Sequence, residues 1–134
     1  CIRDSSRTRK PDIEKELAMT YLPLNELLGK VDIVITCLNK NVVLLDKAAF
    51  QTFGNGKILM NVSIAPSHEV PALKEWLEHG DNYAFSDTEA GLGAELIGLP
   101  NVFAGKTNAG LTSMAKVRLA QKVIGNIETF QAKN

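Results

Sequence analysis

The sequence has few cysteines, no excess of charge and no long apolar run, and each shortage excludes a class of protein. Two cysteines, Cys1 and Cys37, are too few for a disulfide framework, so a reduced, cytoplasmic setting is expected. Basic and acidic residues both number 15, which argues against nucleic acid or an acidic membrane as main partner. No apolar run reaches the roughly 18 residues of a membrane-spanning helix. No His/Cys cluster has the spacing of a metal site, so no metal is expected.

Strand-like and helix-like segments alternate along the chain. With 134 residues the sequence has room for one domain, predicted to span residues 1–134. Short apolar or β-branched runs predict strands at 1–3, 18–22, 31–38, 58–62, 83–88 and 101–105. Between them, helices are predicted at 11–17, 24–28, 46–53, 70–80 and 111–131, with Asp46 as the cap of the third. This alternation predicts an α/β fold with a parallel sheet and helices on both faces.

Residues 57–80 give the clearest local pattern, which predicts a strand, a loop and a helix. Pro71 suits the first helical turn, Ser67 or Glu69 precedes it as a polar cap, and Gly80 suits the end of the helix. Ligands bind outside the carboxyl ends of strands in parallel sheets, so the loop at 63–67 is the first place to expect function.

Two predictions concern burial. Cys37 lies in an apolar run and is interpreted as a small core residue rather than a reactive thiol, which would need an exposed, electropositive setting. The last helix carries apolar residues at three-to-four spacing, from Met114 to Ile127, so one of its faces is predicted to be buried.

Six short motifs, taken in order, resemble the NAD-binding domain of the D-isomer-specific 2-hydroxyacid dehydrogenase family. They are LNELL with VDIV at 24–34, the helix at 46–53 with GKILMN at 56–61, AL with LEHG at 72–80, FSD at 85–87, LPNV at 99–102 and GNIETF at 125–130. The resemblance implies a Rossmann-like, doubly wound parallel sheet in three αβα layers. It also implies hydride transfer between a nicotinamide cofactor and a small 2-hydroxy or 2-keto acid, and a homodimer.

The resemblance assigns cofactor-binding roles to five residues. Asp4, at the end of the second strand of such a domain, would hold the adenosine ribose, and Asp87 would contact the nicotinamide amide. Leu38, Asn39 and Ser63 follow strands and would line the cofactor. The alternative for Asp4 is an ordinary polar residue that ends a strand, and the alternative for Asp87 is a helix or loop cap.

A basic run follows Asp4 and bears on the choice between NAD and NADP. The arginines at positions 3, 7 and 9 could grip a 2′-phosphate and favour NADP, or they could form a solvated turn.

The phosphate loop of the family, G-x-G-x-x-G, is absent from the sequence. It would end roughly 20 residues before the acidic end of the second strand, here Asp4. The chain is therefore interpreted as N-terminally incomplete, and the first strand of the sheet would have to come from an upstream segment or another chain. Without that strand, a gap is expected between the strand at 1–3 and the strand at 31–38.

The catalytic residues of the family are not matched either. Ile64 stands where the resemblance places a substrate-binding arginine, and Thr107 where it places a general acid/base histidine. His68, Lys106 and Glu89 (with Glu95 as a second choice for the glutamate) are weak candidates for replacement roles, each also readable as an ordinary surface or capping residue. A non-catalytic dinucleotide-binding regulatory module is thus an alternative. In that case no small-molecule substrate is expected. The turn at 56–70 also looks a little like S-adenosylhomocysteine hydrolase, but LPNV and the closing helix favour the dehydrogenases.

Overall fold

The computed structural model describes residues 3–38, 41–79, 81–106 and 112–132, in which parallel strands alternate with helices. The strands are β1 Arg3–Asp4, β2 Thr20–Tyr21, β3 Ile33–Thr36, β4 Ile58–Asn61, β5 Tyr83–Ser86 and β6 Val102–Ala104. The helices are α1 Pro11–Glu16, α2 Leu24–Leu28, α3 Lys47–Phe53, α4 Val70–Glu78 and α5 Ser113–Gln131. The segment between β5 and β6 contains two short 3-10 turns, Glu89–Gly91 and Ala94–Leu96.

All strand pairs in the two sheets are parallel. The larger sheet has the order β3-β4-β5-β6, and β1 pairs with β2 in a separate two-stranded sheet. The predicted α/β class with a Rossmann-like parallel sheet is confirmed. The expected gap also appears, because no ladder joins β1 to β3 among the described residues.

One face of the larger sheet packs against α3 and α4. Leu59 and Ala84 are fully buried on this face and belong to the same apolar cluster as Phe53, Leu73 and Trp76. The Phe53 and Trp76 rings stack with centroids 5.4 Å apart, and the Trp76 indole N–H donates to the Gly54 carbonyl at 2.6 Å. This helix–sheet layer is the core that holds the strand ends in place.

The opposite face of the sheet is open to solvent. Ile33 is 49% exposed, Ile35 58% and Phe103 47%, because alternate residues of a strand point to opposite faces. β3 is therefore buried on one side only, although an apolar, β-branched run such as 31–38 is typical of a strand buried on both faces. The same alternation explains why Cys37, predicted to lie in the core, is exposed directly after β3.

The prediction that α5 buries one face was also wrong. None of its residues is buried, and Met114, Ile124 and Ile127 are all more than half exposed. The apolar residues of α5 do follow a three-to-four spacing, but the described residues supply no surface that covers this apolar face. Thr112 begins the helix, its hydroxyl accepting from the Ala115 N–H at 3.1 Å.

The predictions of helix caps are confirmed in part. Asp46 caps α3 as expected, accepting from the Ala49 N–H at 2.8 Å. Pro71 lies in the first turn of α4, and Glu69 precedes it without a side-chain capping bond. Ser67 does not cap, since its hydroxyl donates to Thr36 at 2.8 Å. Gly80, and residues 1–2 of the strand predicted at 1–3, lie outside the described residues.

Candidate functional site

Three neighbouring strands end in polar residues at one edge of the sheet. Thr36, Asn61 and Ser86 close β3, β4 and β5 and stand in register with one another. Because parallel α/β sheets bind ligands outside the carboxyl ends of their strands, this edge is the candidate site.

Asn61 ties the loops at this edge together. The side chain is fully buried, and its oxygen accepts from the Thr36 hydroxyl at 2.8 Å and the Ser63 N–H at 3.0 Å. Its amide nitrogen donates to the carbonyls of Ala65 at 3.0 Å and Gly91 at 2.5 Å. Two bonds to the oxygen and two from the nitrogen use the full hydrogen-bonding capacity of an asparagine. The loops after β4 and β5 are thereby held at fixed positions.

Sequence reasoning did not single out this anchor. The available signal was a polar residue that ends each of three otherwise apolar runs, Ile33–Thr36, Ile58–Asn61 and Tyr83–Ser86. Gly91 is a further missed residue, since a side chain there would collide with Ser86 and approach the Asn61 amide nitrogen to 3.4 Å.

The structure brings together two of the predicted cofactor-lining residues. The Ser63 hydroxyl is buried, accepts from the Leu38 N–H at 2.8 Å and donates to the Thr36 carbonyl at 3.2 Å. Ser63 therefore positions the end of β3, and any cofactor contact from its loop would come from the backbone. Asn39 lies outside the described residues.

Asp4 ends β1 as predicted and lies in the smaller sheet. Its carbonyl accepts from the Leu22 N–H at 2.9 Å, while its half-buried carboxylate forms no hydrogen bond within the described ranges. The carboxylate is thus available as an acceptor.

Of the three nearby arginines, Arg9 is already paired. Its guanidinium donates two hydrogen bonds to the Glu14 carboxylate, at 2.8 and 3.0 Å, and lies 5.9 Å from the centre of the Tyr21 ring. The hydrogen bond raises the pKa of Arg9 and lowers the pKa of Glu14.

Two weak catalytic candidates meet at the ends of β5 and β6. Glu89 and Lys106 line a small cavity of about 340 Å³ together with Thr88 and Gly105, and an antiparallel bridge joins Thr88 to Lys106. Gly105 packs against Asp87, because a side chain at position 105 would come within 2.5 Å of the Asp87 carbonyl oxygen. The backbone of the residue assigned to the nicotinamide amide therefore lies next to Gly105, one of the residues that line this cavity.

His68 does not line this small cavity. The alternatives for it were an ordinary exposed residue or a helix cap, and it is neither. It is 1% exposed, and its Nε2–H donates to the Leu92 carbonyl at 2.9 Å. Burial lowers the pKa of His68, although the bond to Leu92 partly opposes that effect. A neutral, immobilised ring is the result, which opposes a role in proton exchange with a substrate.

The loop after β4 presents Ile64 to solvent, 79% exposed, at the position where the resemblance places an arginine. Thr107, the position of the histidine, lies outside the described residues. In the described ranges no helix is long and apolar enough to cross a membrane. The same ranges hold no group of three or more His, Cys, Asp or Glu arranged for a metal ion.

Comparison with known proteins finds the same family that the motifs indicate. Glyoxylate reductase from Thermococcus onnurineus is 28% identical over 134 residues, covering 95% of this chain and 40% of that protein. D-mandelate dehydrogenase from Rhodotorula graminis matches with a TM-score of 0.82 and 22% identity, covering 96% of this chain and 40% of that one. The NAD complexed form of a D-isomer specific 2-hydroxyacid dehydrogenase from Lactobacillus delbrueckii matches with a TM-score of 0.77 and 18% identity, covering 98% and 46%.

The resemblance to the D-2-hydroxyacid dehydrogenases is confirmed. No protein-family model matches the chain, so the similarity to this family rests on individual relatives and on the fold. The chain spans 40% of the length of the curated glyoxylate reductases it matches.

Proposed function

We propose that this chain is the nicotinamide-nucleotide-binding part of a D-2-hydroxyacid dehydrogenase-like oxidoreductase. The reaction would move a hydride between the cofactor and a small 2-hydroxy or 2-keto acid. The observation that carries the proposal is the similarity to glyoxylate reductases along 95% of the chain, on a parallel sheet of the matching fold.

The described residues fit a dinucleotide at the strand ends. Asp4 offers a carboxylate that no described residue hydrogen-bonds, suited to accept hydrogen bonds from ribose hydroxyls. The Asn61 network fixes the backbone around Leu38 and Ser63, against which the cofactor would lie. Asp87, which directly follows β5, would orient the nicotinamide amide. When bound, the cofactor supplies the hydride chemistry, and these residues supply binding and orientation.

NAD is favoured over NADP on electrostatic grounds. The Asp4 carboxylate would repel a 2′-phosphate, and Arg9, one of three candidate phosphate ligands, is engaged by Glu14. Arg3 and Arg7 remain the residues through which NADP could still bind.

A non-catalytic dinucleotide-binding module is the second candidate function. Ile64 is exposed where the family resemblance calls for an arginine, and an aliphatic side chain cannot fork onto a substrate carboxylate. Such a module would keep Asp4 and Asp87 and use cofactor occupancy for regulation.

The sheet itself suggests what completes the site. β3 is the last strand on its side of the larger sheet, and β1 begins a separate one. We propose that an upstream segment adds a parallel strand between β1 and β3, brings the glycine-rich loop to the strand ends, and contributes a helix over the open sheet face. A homodimer is proposed from the resemblance alone.

Turnover separates the two candidate functions. The natural full-length protein is incubated with NADH and glyoxylate or other small 2-keto acids, and loss of NADH absorbance is followed. The oxidoreductase proposal expects steady oxidation that requires the keto acid. Saturable NADH binding without turnover of any 2-keto acid would favour the regulatory module, and failure to bind nucleotide would contradict both.

A further inference from the structure

The loops that follow β5 and β6 meet at a small cavity. Thr88 and Glu89 line it from the first loop, and Gly105 and Lys106 line it from the second. A backbone bridge joins Thr88 to Lys106, and a side chain at position 105 would come within 2.5 Å of the Asp87 carbonyl oxygen. The two loops are therefore in close contact, and the fold sets the points from which the Glu89 and Lys106 side chains extend.

The size and position of this cavity suit a small substrate. Its volume is about 340 Å³. Small-molecule sites in proteins measure about 300–1,000 Å³, so this cavity is at the lower end of the range. It lies at the carboxyl edge of the larger sheet, and the backbone of Asp87, the residue proposed to orient the nicotinamide amide, lies next to its Gly105 wall. A substrate in the cavity would thus be close to the reactive end of the cofactor.

Lys106 supplies the positive charge of the cavity. In the described parts of the loops that follow β3, β4, β5 and β6, no other lysine or arginine occurs. The side chain is exposed, and it takes part in no ion pair within the described ranges. Its ammonium group can therefore donate charge-assisted hydrogen bonds to the carboxylate that every 2-hydroxy or 2-keto acid carries.

Glu89 supplies one negative charge to the same cavity. It is exposed, and among the described residues it has no ion-pair partner. A ligand with one carboxylate can place that group against Lys106. A second carboxylate in so small a space would lie close to Glu89, and a like-charge contact of this kind discriminates against the ligand that carries the extra charge.

We propose that Lys106 binds the substrate carboxylate and that Glu89 excludes a second one. The site would then select small 2-hydroxy and 2-keto monocarboxylic acids over the corresponding dicarboxylic acids. This inference rests on the proposed oxidoreductase function. Both side chains act on the substrate, so replacing either of them should leave the affinity for NADH unchanged.

Oxamate tests the role of Lys106, because it has the carboxylate and the carbonyl of a 2-keto acid but is not reduced. It is titrated by calorimetry into the natural full-length protein saturated with NADH. Lys106→Gln should weaken oxamate binding roughly tenfold or more, the range for losing a hydrogen bond to a charged group. Lys106→Arg should restore most of the affinity, and Lys74→Gln, at an exposed position of α4, should bind oxamate as the wild type does.

A second pair of ligands tests the role of Glu89. Hydroxymalonate differs from D-lactate in having a carboxylate in place of the methyl group, and each is titrated into the protein saturated with NAD. The wild type should bind D-lactate more tightly. Glu89→Gln should tighten hydroxymalonate binding several-fold and leave D-lactate binding unchanged, whereas Glu78→Gln, exposed at the end of α4, should change neither.

Three results would overturn the inference while the proposed function stands, provided that the wild type binds NADH and turns over a 2-keto acid. They are equal oxamate affinity in Lys106→Gln and Lys74→Gln, unchanged discrimination between the two hydroxy acids in Glu89→Gln, and a loss of NADH affinity in Lys106→Gln, which would place that side chain against the cofactor. A wild-type protein that binds no nucleotide would instead contradict the proposed function, and the inference with it.

Discussion

At the residue scale, Asn61 shows how one side chain can fix two loops of a site. It is fully buried and makes four hydrogen bonds, two of them to carbonyls of Ala65 and Gly91 on different loops. Its contribution is larger than that of a single bond, because its loss leaves several buried groups without partners.

We therefore expect Asn61→Ala to lower the free energy of unfolding by at least about 1–3 kcal/mol, the cost of leaving one buried polar group without a partner. Asn126→Ala, at an exposed position of α5, should change it by less than about 0.5 kcal/mol. Urea denaturation of both variants measures the difference. If the two substitutions cost the same, the network does not hold the site as described.

His68 makes stability depend on pH in a defined direction. Burial lowers its pKa in the folded state below the ordinary value of 6.5, so the unfolded chain binds the proton more readily. Stability from this group is complete above the unfolded pKa and is lost as the pH falls toward the folded pKa, by at most about 1.4 kcal/mol per pH unit.

The wild-type protein should accordingly be more stable at about pH 7.5 than at about pH 5.5, two values that bracket the ordinary histidine pKa. Urea denaturation at each pH measures the difference. His68→Leu should reduce this difference, because it removes the buried titrating ring. An unchanged pH dependence in His68→Leu would contradict the buried, neutral ring.

At the element scale, local chemistry decides where each helix begins. Asp46 accepts from the Ala49 N–H at 2.8 Å and caps α3, whose Phe50 and Phe53 are buried in the core. Asp46→Ala should cost about 1 kcal/mol of unfolding free energy, and Asp46→Ser should restore most of it. Thermal unfolding checks both; equal losses in the two variants would mean that the capping bond contributes nothing.

Elements were predictable where their signals are local. The Asp46 cap, the Pro71 turn and the five helix positions follow from propensity and capping chemistry. Five of the six predicted strands were right in place but too long at their ends, whereas β1 runs to Asp4, past its predicted end. Burial was less predictable, since it depends on what covers a face. Cys37 and α5 look like core elements in sequence, yet they are exposed because the described residues supply no covering layer. The Asn61 network joins residues 25 and 30 positions apart, and spacing in sequence does not reveal such partners.

At the scale of the whole molecule, two strand edges and one exposed sheet face indicate a surface that another segment would cover. β1 and β3 are edge strands of two separate parallel sheets, and one face of the larger sheet exposes Ile33, Ile35 and Phe103. Exposed apolar surface of this kind marks an interaction site in soluble proteins. One added strand-and-helix unit would pair both edges and cover the face, and its connecting loop would lie at the strand ends beside Asp4. The proposed nucleotide function and the proposed upstream unit therefore involve the same strand ends.

Titration calorimetry of NADH and NADPH tests the central claim most directly. The natural full-length protein should bind NADH more tightly than NADPH. Asp4→Ala should weaken NADH binding roughly tenfold, as expected for lost hydrogen bonds to a charged group, while Asp12→Ala, exposed on α1, should not. A folded protein that binds neither nucleotide, or that responds equally to the two aspartate substitutions, would contradict the account.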